Sequence, residues 1–347
     1  MNIDQLETPA VLIDLDRMEL NVARVQALCD QAGVALRPHI KTHKTPEIAR
    51  MQIEAGAIGI ACQKVSEAEV FAGAGFDDIL IPYNILGASK AARLADLALY
   101  NRITSVADNL PVIAGLSAAA AALDIRIRVM VELTTEIERT GASVDRAVEL
   151  AQAIEDDEHL HFAGLMVYPS NPTIRPALQE ALARLDELGI GVDTVSGGGT
   201  GAVLHVGEVP ELTEIRVGTY VFNDWTTIKR GWCQLDDCAM TVRATVVSRP
   251  TGTRAILDSG SKTLSSEVID GGYGYIVEYP DARIYKLNEE HAYVDVSACA
   301  EKPQIGEPVS VIPVHACVVT NLHDVLHGVR GESVEVEWAV AARGRVW

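Results

Sequence analysis

Arg37-Pro-His-Ile-Lys-Thr-His-Lys44 is the stretch on which the reading of the fold turns. Apolar, extended residues (Val34, Ala35, Leu36) run into it, and a helical segment, residues 45–55, follows. Pro38 fixes its own φ and biases Arg37 towards extended geometry, which holds a strand straight to its end. Two lysines and two histidines therefore stand where a strand hands over to a helix, the rim at which α/β proteins bind ligands. A lysine there can form a Schiff base when burial or a neighbouring cation lowers its pKa, and Lys41 is the candidate. Taken alone, the stretch reads first as a basic, solvated loop; the rest of the chain changes that.

Upstream, residues 8–15 read as a strand and 16–32 as an amphipathic helix, with Asp16 as its cap and Gly33 closing it. With 35–41 as the first, eight β-rich apolar runs follow, the others at 57–61, 78–82, 102–106, 125–132, 161–167, 192–196 and 213–218. Helix-period segments such as 64–74, 91–100, 143–154 and 176–188 lie between them. Continuous apolar strands alternating with helices mean a parallel sheet buried on both faces. Eight such units fit a (β/α)8 barrel of the TIM type. A doubly wound open sheet would usually carry a glycine fingerprint after its first strand, where this chain has His-Ile-Lys. From about residue 235 alternating β-rich runs take over, at 240–248, 254–257, 273–278, 291–296, 308–314 and 334–340, with Gly, Asp and Pro in the turns. The expected division is an α/β barrel over 16–234 and an all-β domain over 235–347.

The 347 residues suit two domains, and a 48% hydrophobic content supports a real core. No apolar run reaches the length of a membrane span, and Met1-Asn-Ile-Asp-Gln5 has no basic flank or apolar signal region, so a cytoplasmic location is expected. A formal charge of −19 argues against nucleic acid and anionic membrane as partners, though not against small anions. The six cysteines (29, 62, 233, 238, 299, 317) show no CxxC pair and are expected to be mostly reduced, buried and inert.

Barrel enzymes keep their chemistry at the carboxyl ends of the strands and often hold phosphate after strands seven and eight. Here those places carry Ser196-Gly-Gly-Gly-Thr-Gly201 and Arg216-Val-Gly-Thr-Tyr220. Glycines let backbone N–H groups approach an anion, and Gly198, Gly199, Thr200, Gly218 and Thr219 are the candidate phosphate ligands. A lysine at the first strand end and a phosphate cradle at the last two suit pyridoxal 5'-phosphate. Arg139, in the loop after the fifth strand, can reach the cofactor ring or its phenolate oxygen, or instead pair with Glu136 or Glu138. Tyr168, at the end of the sixth, can flank the ring.

These features resemble the D-threonine aldolase and D-serine dehydratase family, alanine-racemase-like pyridoxal phosphate enzymes of fold type III. Thr8-Pro9, the 37–44 stretch, Cys62-Gln-Lys64, Ser196–Thr200, Arg216–Asp224 and His315-Ala-Cys317 carry the resemblance, across nearly the whole chain. It implies that Lys41 bears the cofactor and that Gly218 and Thr219 hold its phosphate. It also implies a homodimer in which the β-domain, with the N-terminal strand 1–15, closes the partner's active site.

His315 and Cys317 are two apart, and on a β-strand such residues share a face. They can bind one divalent metal and leave sites open to substrate; alone, the pair reads as a core cysteine beside a polar histidine. The resemblance raises the metal reading. Imidazole and thiolate favour zinc, whereas the aspartate of some relatives at the Cys317 position would suit manganese or magnesium. His323 and His327 are four apart, a spacing that allows a shared helical face, but they read first as solvated or capping residues; His39 and His43 are left without a role. Relatives commonly have asparagine where Val314 stands. The loops 132–141 and 168–173 also depart from the family pattern, which bears on substrate identity more than on cofactor or fold. The resulting expectation is retro-aldol cleavage of a 3-hydroxy-D-amino acid to glycine and an aldehyde. Dehydration of D-serine or 3-hydroxy-D-aspartate on the same site is the alternative. An amino-acid racemase, needing no metal, and a non-catalytic pyridoxal phosphate carrier, which would lack the β-domain, stand further off.

Overall fold

A computed structural model describes residues 1–347. It opens with β1 (Ala10–Asp14) and α1 (Leu15–Ala32). Eight parallel strands follow: β2 (Ala35–Leu36), β3 (Ile60–Ala61), β4 (Asp78–Asn84), β5 (Arg102–Ala107), β6 (Ile127–Leu133), β7 (Leu160–Val167), β8 (Thr194–Gly198) and β9 (Glu214–Arg216). Between them lie α2 (Pro46–Glu54), α3 (Val65–Gly73), α4 (Ala88–Ala98), α5 (Leu110–Ala121), α6 (Val144–Glu155) and α7 (Arg175–Glu187). After α8 (Trp225–Lys229) come β10 (Met240–Thr251), β11 (Arg254–Leu257), α9 (Ser261–Leu264), β12 (Tyr275–Ile276), β13 (Arg283–Leu287) and β14 (Ala292–Asp295). The chain ends with β15 (Pro308–Ile312), α10 (Ala316–Leu322), β16 (Val325–Arg330) and β17 (Ser333–Ala339). The backbone divides into a barrel unit (Arg24–Lys41, Ile48–Gly218, Arg345–Trp347) and a β unit (Met1–Ala23, Thr42–Glu47, Thr219–Gly344).

In the barrel unit the sheet runs β2-β9-β8-β7-β6-β5-β4-β3. It curls until its edges meet: the Ala61 N–H donates to Pro38 O at 2.8 Å, and His39 bridges Ala61 in parallel. Ala61, Leu80, Val106, Met130, Ala163 and Met166 pack into one buried cluster. They come from β3 to β7, and only the concave face of a closed sheet brings such strands together. Helices cover the outside. In α6, Ser143 caps Arg146 N–H, and Ala147, Leu150, Ala151 and Ile154 form the buried stripe that packs on β6 and β7. The expected (β/α)8 barrel with a following β-rich region is what forms.

Buried charge ties the strands of the barrel unit. Arg37 donates to Glu214 (3.0 Å) and Asp78 (2.7 Å), and Ser196 Oγ donates to Glu214 at 2.5 Å. Gly59 leaves the room: a Cβ there would stand 2.5 Å from Arg37 Nη1. Truncating Arg37 to methionine leaves the buried Glu214 without its ion-pair partner and Asp78 with only the longer, 3.8 Å pairing to Arg102. We expect a loss of about 3–5 kcal/mol, read as a lowered urea midpoint. An unchanged midpoint would show that this pairing contributes nothing net.

In the β unit the main path is β13-β14-β11-β10-β1-β16-β17. The N-terminal strand sits inside it, antiparallel to β10 and parallel to β16, while β15 pairs with β10 and β12. Along β10, Met240, Val242, Ala244 and Val246 are fully buried while the residues between them are not, the period of a half-buried strand.

Several local expectations need correction. The helix after β1 is capped by Asp14, whose Oδ1 accepts from Arg17 N–H at 3.0 Å, and Asp16 lies in its first turn. The strand expected over 35–41 gives way to a 3-10 turn, Ile40–Thr42, so Lys41 rides on a turn. The strand expected over 308–314 stops at Ile312, because Pro313 has no N–H to continue the ladder. His315 and Cys317 are therefore not on a strand: His315 is the extended N-cap residue of α10 and Cys317 lies in its first turn. His323 and His327 share no helical face either. His323 ends α10 in extended geometry, with Nε2 3.2 Å from Thr263 O, and His327 belongs to β16.

Candidate functional site

In the barrel unit the turn that carries Lys41 is shaped by the histidine before it. His39 Nδ1 accepts the Lys41 N–H at 3.4 Å, and its Nε2 stands 3.1 Å from Gln63 Oε1, so the ring bears its proton on Nε2. In the β unit His43 does the same two residues on, its Nδ1 accepting the Thr45 N–H at 3.1 Å. Both histidines are thus turn-builders. The Lys41 ammonium is half-buried and engages no carboxylate, carbonyl or ring. The other lysines that could compete are occupied: Lys44 donates to Ala342 O at 3.3 Å, Lys64 lies 3.7 Å over the Tyr83 ring, and Lys262 pairs with Glu289 and Glu290.

The glycine loop after β8 is held from below. Gly198 N–H donates to Ser170 Oγ (3.1 Å) and Gly199 N–H to Arg216 O (3.1 Å), so these two amides are taken. The N–H groups of Thr200 and Gly201, and of Gly218 and Thr219, engage no backbone carbonyl. Gly199 has φ +115°, and a Cβ on Gly198 would meet Arg216 Nη2 and Tyr168 at 3.1 Å each. Free amides beside side-chain-free positions fit an anion such as a phosphate. Within the loop the amides of Thr200 and Gly201 are open to such an anion, while those of Gly198 and Gly199 already have partners. Thr200→Val removes one hydroxyl from such a cradle. It is expected to weaken cofactor binding roughly tenfold, about 1.4 kcal/mol, with the barrel's melting unchanged. Wild-type affinity in that variant would place the phosphate elsewhere.

Sequence reasoning overlooked Arg216. It is buried, donates to Ser196 Oγ and Val167 O, and has its guanidinium against Gly198. Burial pulls its pKa down to about 10, against the opposing effect of Glu214 and Glu132, so it remains a fixed cation under the loop. Its only sequence signal is an arginine two residues after Glu214, on the same strand face. Arg139 takes neither salt bridge open to it; its guanidinium lies 4.8 Å over the Tyr168 ring, while Glu136 accepts from Asn171. Behind them burial raises the Glu132 carboxyl, opposed by the Thr140 hydroxyl that donates to it at 2.9 Å. Lys41, Arg139, Tyr168 and the glycine loop thus all stand on barrel strand ends and their loops, with charge suited to a flat anionic cofactor.

In the β unit the 313–316 segment is pinned to the start of α8. Trp225 N–H donates to Pro313 O (2.9 Å), Thr226 N–H and Oγ1 to Val314 O (3.2 and 2.7 Å), and Ala316 N–H to Asp224 Oδ2 (3.1 Å). This fixes His315 and Cys317 with their side chains in hydrogen-bond contact. Cys317 Sγ also meets Thr42 Oγ1 at 3.2 Å and Thr219 Oγ1 at 3.8 Å. Burial alone would lower the His315 pKa, but Cys317, Asp224 and Glu267 outweigh it and raise it to about 10. An imidazole and a thiol held together, with hydroxyls on the sulfur, form a donor pair that fits a thiophilic divalent metal. No third histidine, cysteine or carboxylate completes a closed cluster, so the remaining coordination positions would fall to water or substrate. Thr42 and Thr219 directly follow Lys41 and Gly218 in the chain. No helix is long and apolar enough to cross a membrane.

Residues 13–224 match the alanine racemase N-terminal domain, and 239–329 match the putative serine dehydratase domain. A D-threonine aldolase from Arthrobacter sp. is 36% identical, over 98% of this chain and 93% of its own. The crystal structure of D-threonine aldolase from Filomicrobium marinum superposes with a TM-score of 0.91 at 34% identity, covering 99% of this chain and 97% of that one. D-threo-3-hydroxyaspartate dehydratase from Delftia sp. HT23 superposes at 0.89 with 26% identity over the whole of both chains. Solved variants of a dehydratase of that name include a histidine-to-alanine change and, two positions on, a cysteine-to-alanine change in the metal-free form. With both domains matched and aldolase relatives aligned end to end, the chain belongs to the D-threonine aldolase and D-serine dehydratase family, alanine-racemase-like pyridoxal phosphate enzymes of fold type III.

Proposed function

We propose that this protein is a pyridoxal phosphate- and divalent-metal-dependent lyase that cleaves 3-hydroxy-D-amino acids to glycine and an aldehyde. The observation that carries the reading is the paired imidazole and thiol of His315 and Cys317, in a chain that also presents an unengaged Lys41. Bound pyridoxal phosphate supplies an electron sink for the carbanion character that develops at Cα. Lys41 tethers it and can move a proton at Cα. Thr200, Gly201, Gly218 and Thr219 offer N–H groups to the phosphate, and the Arg216 guanidinium sets a positive field beneath Gly198. Arg139 and Tyr168 stack as a wall against which a flat ring can rest. His315 and Cys317 would hold zinc, whose charge would lower the pKa of the substrate's 3-hydroxyl and so favour the deprotonation that Cα–Cβ cleavage requires.

Dehydration is the second reading, and one observation favours it. The solved dehydratase variants concern a histidine and a cysteine at the same two-residue spacing as His315 and Cys317. The same metal can polarise the C–O bond so that hydroxide leaves after α-proton removal, giving ammonia and an oxo acid. Mass spectrometry of the products from D-threonine, D-serine and 3-hydroxy-D-aspartate, with and without chelator, separates the two. Glycine plus aldehyde, abolished by chelator, supports cleavage; ammonia and an oxo acid support dehydration; racemised substrate without metal dependence overturns both. The resemblance further implies a homodimer, for which a molecular mass near twice that of the chain in light scattering is the expected result.

A further inference from the structure

Glu267 belongs to none of the motifs that mark this family, yet its carboxylate reaches the proposed metal pair. Its Oε2 lies 2.8 Å from His315 Nδ1. It arrives there from the loop after α9, where Ser265 adopts φ +70° and its Oγ accepts the Glu267 N–H at 3.3 Å. Neutral imidazole carries one proton. In the neutral ring that binds a metal, a carboxylate at Nδ1 can only accept, so the proton sits on Nδ1 and Nε2 offers its lone pair. Nε2 points away from Glu267, which stands on the far side of the ring and cannot share a metal bound there. The sulfur of Cys317 has its own outer contacts, the hydroxyls of Thr42 and Thr219.

We infer that Glu267 is a positioning residue for the metal site: it fixes the tautomer and orientation of His315 so that Nε2 is the ligating nitrogen. This rests on the metal reading of His315 and Cys317 given above. An outer carboxylate on a ligating histidine makes the nitrogen more basic, and its removal typically weakens metal binding about 10- to 100-fold. An ordinary half-exposed ion pair would leave metal affinity unmoved.

The test is competition for zinc between the purified, cofactor-loaded protein and a chromophoric chelator. Glu267→Ala is expected to bind zinc about 10- to 100-fold more weakly at unchanged stoichiometry, with the cofactor's absorbance intact. Glu267→Gln keeps an acceptor oxygen at Nδ1 and is expected to restore most of that affinity. Nitrogen-15 spectra of the zinc-loaded protein should show His315 with Nδ1–H and metal-bound Nε2 in the wild type, and a mixture of ligating nitrogens in Glu267→Ala. Wild-type zinc affinity in Glu267→Ala overturns the inference and leaves a surface ion pair. Loss of zinc from both variants, with stoichiometry falling to zero, overturns it in favour of direct ligation by Glu267. A wild-type protein that takes up no zinc removes the metal reading itself, and this role with it.

Discussion

Lys41→Ala is expected to yield a folded protein that keeps no covalently attached pyridoxal phosphate and loses lyase activity by on the order of 10³-fold or more. The fold should survive, because the side chain being removed is half-buried and joins no ion pair or hydrogen bond. Such a change costs about 0.5 kcal/mol or less, so the melting temperature should hardly move. What disappears is the amine proposed to tether the cofactor and to move a proton at Cα. The competing lysines cannot take over cheaply: Lys44 would have to leave Ala342 O, Lys64 the Tyr83 ring, and Lys262 two carboxylates. Borohydride reduction of the wild-type protein followed by peptide mapping decides the matter. The label should lie on the peptide that contains Lys41; a label on Lys44, Lys64 or Lys262 would refute the assignment.

The barrel was legible because its strands are buried on both faces and so read as uninterrupted apolar runs, as in Ile127–Leu133. The β unit was less so. Arg283–Leu287 has only one fully buried residue, Ile284, in its five, and such an edge strand carries little hydrophobic signal. Lys41 and the glycine loop were proposed from their places at strand ends, and the His315–Cys317 pair from the family resemblance, its spacing alone being a weak signal. The local geometry of that pair was misjudged, since a run ending Pro308–Val314 looks like a strand that continues. Pro313 and the four hydrogen bonds from residues 224–226 and 316 turn it into a helix cap instead. Arg216 and Glu267 were out of reach for a different reason. Arg216 matters through a guanidinium packed against Gly198, and Glu267 through a contact with His315 across 48 residues of chain. Neither relation leaves a local pattern, because charge pairing over long separations depends on which loops the fold brings together.

Cys317→Ala should lose zinc and nearly all lyase activity while keeping the cofactor's absorbance. Lys41 and the open amides of Thr200, Gly201 and Gly218 are untouched by it. The cysteine is the softer of the two proposed ligands, and without it a single imidazole from His315 is too weak to retain a divalent ion in the presence of chelator. Folding should be little affected, since the thiol is partly exposed and α10 keeps its anchor through Ala316 N–H to Asp224. Removing the metal should cost about 10²- to 10³-fold or more in rate. The developing charge on the substrate's 3-oxygen, or on the departing hydroxide, would lose its electrostatic partner. Exchange of the α-proton into deuterated water should survive, because that step needs the cofactor and a base and makes no demand on the 3-hydroxyl. The two rates therefore separate the roles: a variant that still exchanges the α-proton but no longer breaks a bond at Cβ has lost the metal and nothing else. If the wild-type protein is fully active free of metal and indifferent to chelators, the metal mechanism fails and a racemase becomes the better reading. If Cys317→Ala binds zinc as tightly as the wild type, the mechanism stands but the thiol is not its ligand.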